Sequence, residues 1–160
     1  MPDTPKAEQI SAAAETLIRT ISTANGYNYD YVNLGDDVDI RVVESLNEVN
    51  EFPRLYLPAD DEAQAGAFTA GQAETTKNER ELKVLVVGYV EIEDSDTALN
   101  KVRQDIERAM FSTGQTLGLN FVTALVTTTV LKHQDRRVGN NRAAIGVTFV
   151  ATYRYTRGDP

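Results

Sequence analysis

Apolar residues recur at helical spacing in two segments of the chain, and the first of these is residues 4–26. Thr4 is placed to cap this helix, Pro5 suits its first turn, and Asn25 and Gly26 tolerate the left-handed conformation that ends a helix. The apolar positions that would lie on one side are Ile10, Ala14, Leu17, Ile18 and Ile21. The pattern predicts an amphipathic helix.

The second segment with helical spacing is residues 93–114. Ser95 or Asp96 is placed to cap it and Gly114 to end it. The apolar residues that share one face are Leu99, Val102, Ile106, Ala109 and Met110. This pattern predicts a second amphipathic helix.

Between the helices, several segments have the alternation of β-strands. Tyr27, Tyr29 and Tyr31 alternate with polar residues, so an extended chain would carry three rings in a row on one face. Residues 38–43 alternate apolar and polar positions, and residues 52–57 lie between two prolines. We expect strands in both of these segments, the second at an edge or short because of its prolines.

The strongest strand signals come later in the chain. Residues 82–92 are apolar on both faces, which predicts a strand in the middle of a sheet. Residues 121–134 are rich in β-branched side chains, and a turn-rich stretch, DRRVGNN, follows them. The next strand alternates apolar residues on one face, namely Ile145, Val147, Phe149, Ala151, Tyr153 and Tyr155. These last two strands predict a long hairpin.

The order of elements predicts a single α+β domain over residues 1–160. Its architecture would be one mixed, mainly antiparallel β-sheet flanked by two α-helices, both on one face. Residues 59–81 contain few apolar side chains and no clear period, so they are expected to form a long polar loop or arm. A loop of this length inside a domain is either functional or disordered.

Composition narrows the possible chemistry. The chain has no cysteine and one histidine, His133, which excludes disulfides and the common thiolate and imidazole metal sites. It has neither a G-x-S-x-G nucleophile motif nor a phosphate-binding glycine motif, and its acidic clusters lack the pattern of a calcium-binding loop. No signal peptide or membrane-length apolar run is present. We therefore expect no catalytic, cofactor-binding or metal-binding residues, no cofactor, no membrane partner and no enzyme activity.

The charge of the chain is unevenly distributed. The net charge of −8 argues against general affinity for nucleic acid. Residues 1–108 carry 10 basic and 22 acidic side chains, net −12, whereas residues 109–160 carry 6 and 2, net +4. This polarity suits head-to-tail self-association, and it equally suits segments that neutralise each other within one fold.

The basic residues near the closing hairpin are candidates for a subunit or partner interface. They surround one predicted turn and favour an acidic protein surface over DNA, although a turn kept soluble by its charges would have the same composition. Tyr27, the tyrosine nearest the turn, is expected to be exposed. The candidate interface residues are Lys132, Arg136, Arg137, Arg142, Tyr27 and Phe68.

The chain resembles the tail terminator (tail completion, or minor tail) proteins of long-tailed bacteriophages. The likeness rests on the first helix running into TANGYNYDYVNLG, the FPRLYL strand, the segment LKVLVVGYVEIEDSDTALNKVRQDIERAM, and the closing GVTFVATYRYTRGDP. These segments occur in order and cover most of the chain. The loop at residues 59–81 is longer and more polar than such a protein needs, so we assign it to an arm that spans subunits or contacts the tube.

The resemblance implies a structural virion protein without catalytic chemistry. Such a protein forms a homo-oligomeric ring, a hexamer, on the last disc of the tail tube. It ends tube polymerisation and provides the surface for the head–tail connector, or neck protein. DNA would pass through its lumen without specific binding. The expected location is the head-proximal end of the tail in the virion, and the host cytoplasm during assembly.

Three alternatives remain open at this point. Another head–tail connector, such as a neck completion protein, shares ring assembly and small α/β blocks. A nucleic-acid-binding module would use the tyrosine row to stack bases. A small hydrolase would need His133 close to a Ser or Asp from elsewhere in the chain.

Overall fold

The computed structural model describes residues 3–35, 37–58, 61–64, 79–91, 95–135 and 141–155. In chain order the elements are α1 (Lys6–Ile18), a 3₁₀ turn (Thr23–Asn25), β1 (Arg54–Tyr56), β2 (Asp61–Gln64), β3 (Glu79–Glu91), α2 (Ser95–Met110), β4 (Val122–Asp135) and β5 (Arg142–Arg154). Every strand pairing within these ranges is antiparallel. The predicted α+β class, an antiparallel sheet flanked by two helices, is confirmed.

The sheet has the strand order β1-β3-β5-β4, and β2 pairs with β3 beyond the end of β1. β3 is therefore internal, as its apolar sequence predicted. It pairs with β5 along its whole length, from Glu79 opposite Arg154 to Glu91 opposite Arg142. This pair of long strands is the centre of the sheet.

β4 and β5 form the predicted closing hairpin. Their register shifts between Val122 and Ala124 and again between Thr127 and Thr129, so β4 has a bulge at two places. The bulges leave the second half of β4 regular.

Both helices pack on one face of the sheet, as expected. Ile10, Ala14 and Ile18 of α1 belong to the same buried cluster as α2 and the inward side chains of β3 and β5. Gly88 of β3 allows the close approach of α2, because a Cβ atom at this position would lie 2.5 Å from Cγ1 of Val102. We call this the covered face.

The opposite face of the sheet is only partly covered. At one end Val49, Tyr56 and Tyr89 form a smaller buried cluster. Beyond it, Leu131 and Val126 of β4 are 69% and 47% exposed. We call this side the open face.

Two of the predicted strands are absent. Residues 26–31 and 38–43 have no strand conformation. The second prediction failed because its apolar positions do not share an environment: Ile40 is fully buried, whereas Val38 and Val42 are 39% and 62% exposed. The segment lies beside the end of β1, where the carbonyl of Ile40 accepts a hydrogen bond from the N–H of Leu57, but residues 38–43 have no strand conformation.

The ends of α1 also differ from the prediction. Pro5 occupies the N-cap position without a side-chain cap, so Thr4 is not the cap, and the helix ends at Ile18. Asn25 and Gly26 end the following 3₁₀ turn instead, with Gly26 at φ 83°. α2 runs from Ser95 to Met110, so the predicted caps Ser95 and Asp96 both lie within the helix, which ends before Gly114. It buries the whole apolar face that its spacing predicted.

Two parts of the predicted loop at residues 59–81 are strands. Residues 61–64 form β2 and residues 79–81 belong to β3, so these parts of the loop prediction are wrong. The strand prediction missed β2 because its sequence, DEAQ, has almost no apolar residue. The rest of the segment lies outside the described residues.

Candidate assembly surface

Lys132 and Arg142 lie on opposite faces of the sheet, although the sequence placed them around one turn. Lys132 points to the covered face, where its Nζ atom donates to Oδ1 of Asn100 at 2.6 Å and lies 3.6 Å from Oδ1 of Asp96. Its charge therefore helps to hold β4 against α2. Arg136, Arg137 and Phe68 lie outside the described residues, so their interface roles stay predictions.

Arg142 braces a loop within the subunit. Its Nε atom donates to Oε2 of Glu91 at 3.1 Å, and one terminal nitrogen donates to the carbonyls of Leu46 and Asn47, each at 3.3 Å. The guanidinium also lies 5.4 Å from the centre of the Phe52 ring. With 18% of its side chain exposed, Arg142 ties residues 46–52 to the open face. Its role in a subunit contact stays a prediction.

The three tyrosines of residues 27–31 pack around α2 and not in a row. The guanidinium of Arg108 lies 4.8 Å from the centre of the Tyr27 ring, which is only partly exposed. Tyr29 and Tyr31 meet edge to face at 6.1 Å. Tyr31 is buried, so it is not available to stack a base.

Asp105 of α2 holds this tyrosine segment in place. Its carboxylate is buried and accepts hydrogen bonds from the backbone and side-chain amides of Asn28, both at 2.8 Å. It also accepts from the backbone N–H of Tyr29 at 3.2 Å and from the hydroxyl of Tyr31 at 3.1 Å. These bonds fix an irregular segment against a helix 74 to 77 residues away in the chain.

The sequence offered a signal for Asp105 that was missed. It lies beside Ile106 on the predicted apolar side of α2, where a carboxylate needs donors if it is buried. Burial raises the pKa of the Tyr31 phenol well above its ordinary value, and the nearby Asp105 carboxylate raises it further. The phenol therefore remains a hydrogen-bond donor in the folded protein.

A second polar cluster lies at the end of the open face where Val49, Tyr56 and Tyr89 are buried. The Tyr89 hydroxyl donates to the backbone carbonyl of Glu44 at 2.9 Å, and the Tyr56 hydroxyl donates to its carboxylate at 3.2 Å. Tyr56 and Tyr89 also meet edge to face at 5.4 Å. Burial raises the pKa of both phenols. The cluster attaches residues 44–52 to the sheet.

The chain itself closes the outer edge of β1. Asn33, which is 2% exposed, substitutes for a neighbouring strand: its side-chain amide donates to the carbonyl of Leu55 and accepts from the N–H of Leu55 at 3.0 Å. The N–H of Val32 donates to the carbonyl of Pro53 at 3.0 Å. The N–H of Leu57 donates to the carbonyl of Ile40 at 2.7 Å. Irregular segments of the chain thus satisfy N–H and carbonyl groups along β1 that could otherwise pair with another strand.

The open face carries apolar side chains from three strands. Leu85 and Val87 of β3 and Val150 of β5 lie on the same side of the sheet as the exposed Val126 and Leu131 of β4. Gly146 lies among them, and a Cβ atom added there would meet Cδ1 of Leu85 at 3.5 Å, an ordinary contact distance. Of these side chains only Val126 and Leu131 are strongly exposed, because Val150 is 9% exposed and Val87 packs against the smaller buried cluster. Exposed apolar side chains on a sheet face are candidates for protein contact.

An open groove of about 740 Å³ runs between α2 and β4 on the covered face. Asn100, Arg103, Glu107, Phe111 and Thr127 contribute to its lining. Nε of Arg103 lies 3.0 Å from Oε1 of Glu107, so these two charges compensate each other within the groove. The groove has no excess charge from this pair with which to select a ligand.

The described residues contain no group of three or more His, Asp or Glu side chains placed to hold a metal ion. Neither helix is long and apolar enough to cross a membrane. Comparison with known proteins finds no family model and no curated protein that matches the chain. The surfaces described above therefore have to supply the functional argument together with the resemblance noted in the sequence.

Proposed function

We propose that the chain is a structural assembly protein of a long-tailed bacteriophage, a tail terminator that forms a ring on the end of the tail tube. In this role it stops tube polymerisation and offers its exposed side to the head–tail connector. The observation that carries the proposal is the open face, an apolar sheet surface that includes Leu131, the most exposed large apolar side chain of the described residues.

The resemblance supports this particular assembly role. The segments that carry it include α1, the short β1, the β3–α2 unit and β5, and these elements follow one another in the expected order. The match in order is a property of pattern and not of residue identity. It makes the tail terminator the first choice among ring-forming structural proteins.

The construction of the subunit suits a ring. Helices α1 and α2 and the inward side chains of β3 and β5 share one buried core, so the sheet is backed by a rigid layer. A rigid subunit with an apolar face loses little conformational entropy when it binds a neighbour. The charge polarity along the sequence is partly compensated within the subunit, because Lys132 and Arg142 of the basic last part pair with Asp96 and Glu91 of the acidic first part.

The tyrosine segment gives less support to a nucleic-acid-binding module. Tyr31 is buried and its hydroxyl is bound to Asp105, and Tyr27 faces Arg108 of the same subunit. A base-stacking row would need these rings in extended, accessible chain. The arrangement favours an architectural role for the tyrosines.

The direct test adds the purified protein to polymerising tail tube protein and measures tube lengths by negative-stain electron microscopy. We expect shorter tubes with a ring of density at one end, and a homohexamer by native mass spectrometry of the capped ends. Unchanged tube length together with binding to the portal side would favour the neck-protein alternative. Unchanged length without binding to either component would contradict the proposal.

A pair of variants makes the test specific to the open face. Gly146→Glu places a carboxylate on that face, at a position where an added Cβ atom would meet Cδ1 of Leu85 at an ordinary 3.5 Å. We expect it to abolish tube capping while leaving the far-ultraviolet circular dichroism unchanged. Val42→Glu is the matched control, because Val42 is 62% exposed but lies in the loop of residues 38–43. If Gly146→Glu and Val42→Glu capped tubes equally well, the open face would not be the surface that binds the tube.

A further inference from the structure

The two outer edges of the sheet differ in whether the chain itself covers them. Val32, Asn33 and Ile40 close the edge of β1 with hydrogen bonds. β4 is the last strand on the other side, and none of the strands in the described ranges pairs with its outer edge. An edge strand of 14 residues left in this way is a template for another strand.

The second half of β4 is suited to receive that strand. Its two bulges lie before Thr129, and from there to Asp135 the register with β5 is unbroken. Leu131 lies within this regular stretch and is 69% exposed, more than any other large apolar side chain that the structure describes. A strand added beside β4 would place one of its own side chains opposite Leu131.

The bulges restrict pairing to this half. The hydroxyls of Thr123 and Thr128 donate to the carbonyls of Thr152 and Thr148 of β5, at 3.2 and 3.3 Å. These bonds hold the distorted positions against the neighbouring strand. Bulges break the flat edge that a partner strand requires.

We propose that β4 pairs antiparallel with β4 of a second copy of this chain, about a two-fold axis at Leu131. Leu131 then lies opposite the partner's Leu131, and each covers the apolar surface that the other exposes. The two sheets join into one. This inference does not rest on the proposed tail function.

Charge selects this register over its neighbour. With the axis at Leu131, Val130 lies opposite the partner's Lys132, and Thr129 lies opposite the partner's His133. A shift that moves the axis to Lys132 would set two lysines directly opposite each other. Like charges at opposed positions destabilise a strand pair, whereas opposed apolar side chains stabilise it.

The closed β1 edge explains why the second copy should use the same strand. Because the amide of Asn33 already occupies the N–H and carbonyl of Leu55, β1 cannot offer those groups to the β4 of a neighbour. An isologous β4 contact closes on itself with two copies and occupies the regular part of the β4 edge. It is therefore a different contact from the head-to-tail contacts of a ring.

The test uses a single introduced thiol, because the chain has no cysteine. In the Leu131→Cys variant the two thiols of a dimer lie opposite each other, with Cα atoms about 4.5–5.5 Å apart, which is within reach of a disulfide. Under mild oxidation by oxidised glutathione we expect a covalent dimer as the main product on a non-reducing gel. Val42→Cys, at a position 62% exposed, is the matched control and should remain monomeric on the gel.

A third variant tests the register of the proposed β4–β4 pairing. In His133→Cys the two thiols would be separated by about 14 Å, since each lies two residues from the axis. We expect little cross-linking. Cross-linking of Leu131→Cys no stronger than that of Val42→Cys would overturn the proposal, and stronger cross-linking at His133 than at Leu131 would overturn its register.

Sedimentation velocity provides a measurement without oxidation. Leu131→Asp sets two carboxylates opposite each other, so it should lower the association state of the protein, whereas Val42→Asp should not. Circular dichroism of both variants shows whether the fold is retained. Equal association of the two folded variants would also overturn the proposal.

Discussion

The two faces of one sheet are built from the same three long strands, yet they differ in almost every physical respect. On the covered face α2 approaches so closely that only glycine fits at position 88. On the open face Gly146 of β5 has room for a side chain, and Leu131 projects into solvent. Stability thus resides mainly in the covered face, whereas the strongly exposed apolar side chains of these three strands, Val126 and Leu131, lie on the open face.

The largest expected difference between the faces concerns large apolar side chains. Phe149 is fully buried on the covered face and meets Phe111 edge to face at 5.8 Å. We expect Phe149→Ala to lower the free energy of unfolding by about 3–5 kcal/mol, because it leaves a cavity. Leu131→Ala on the open face should change it by less than about 0.5 kcal/mol. Urea unfolding followed by circular dichroism gives both values, and equal losses would show that the open face also belongs to the core.

The next prediction concerns the buried carboxylate behind the covered face. Asp105→Ala removes the acceptor of four hydrogen bonds from residues 28–31. We expect a loss of about 2–4 kcal/mol, since donors remain without an acceptor. Glu107→Ala is the control on the same helix, because Glu107 pairs with Arg103 at the partly exposed surface. It should cost less than about 0.5 kcal/mol in the same urea experiment. A small effect of Asp105→Ala would mean that residues 26–31 are held by packing alone.

Glycine provides a matched pair across the two faces. Gly88→Ala brings a methyl group to 2.5 Å from Cγ1 of Val102 and 3.1 Å from Cδ2 of Leu55, so we expect a loss of about 1–3 kcal/mol. Gly146→Ala meets Leu85 at 3.5 Å and should change stability by less than about 0.5 kcal/mol. The melting temperatures of the two variants compare the faces directly.

A rescue experiment assigns the cause of the Gly88 effect. Val102→Ala alone removes the side chain that the new methyl group would meet. In the double variant the two substitutions should cost less than the sum of their separate effects, because residues in contact are coupled. Strict additivity would place the strain elsewhere, for example in the backbone of β3.

The difference between the faces also explains how much of the fold the sequence could predict. Burial on the covered face is periodic, so the apolar positions of α2 and of β5 gave both elements and their inward sides. The edge of β1 is closed by the amide of Asn33, a contact between residues 22 positions apart that leaves no periodic trace. The strand prediction at residues 38–43 was wrong for a related reason: the valines there alternate with other residues, but burial does not follow that period and only Ile40 is buried.

The candidate interface was harder to predict because proximity in sequence does not fix the face of a strand. Lys132 and Arg142 are near each other along the predicted hairpin, yet one contacts α2 and the other contacts Glu91 on the open side. Val126 and Leu131 could have been placed on one face only with the β4 bulge between Thr127 and Thr129 in view. Beyond a bulge, the alternate residues that faced outward face inward. A run of β-branched residues does not reveal where such a bulge lies.

The smallest expected effect concerns the phenols that secure the loops to each face. The pKa of Tyr31 on the covered side is raised by burial and by Asp105, and the pKa of Tyr89 on the other side is raised by burial. A phenol whose pKa is higher in the folded than in the unfolded state contributes stability that is complete below the unfolded value of about 10. That stability is lost as the pH rises above it, because the unfolded chain then releases its proton first.

Tyr31→Phe separates this ionisation from packing. The variant loses a hydrogen bond to Asp105, so at neutral pH we expect a cost of about 1 kcal/mol. Above pH 10 the fall of its stability with pH should be shallower than that of the parent chain, because one shifted phenol is gone. Tyr89→Phe, which loses the bond to the Glu44 carbonyl, should flatten the same slope less. The pKa of Tyr89 is raised first by burial and then by Tyr56 and the partly exposed Glu44 carboxylate, whereas the carboxylate beside Tyr31 is the buried Asp105. Identical slopes in Tyr31→Phe and the parent chain would show that the Tyr31 phenol ionises no later when folded, and the tie between residues 26–31 and α2 would then rest on the amides of Asn28 and Tyr29.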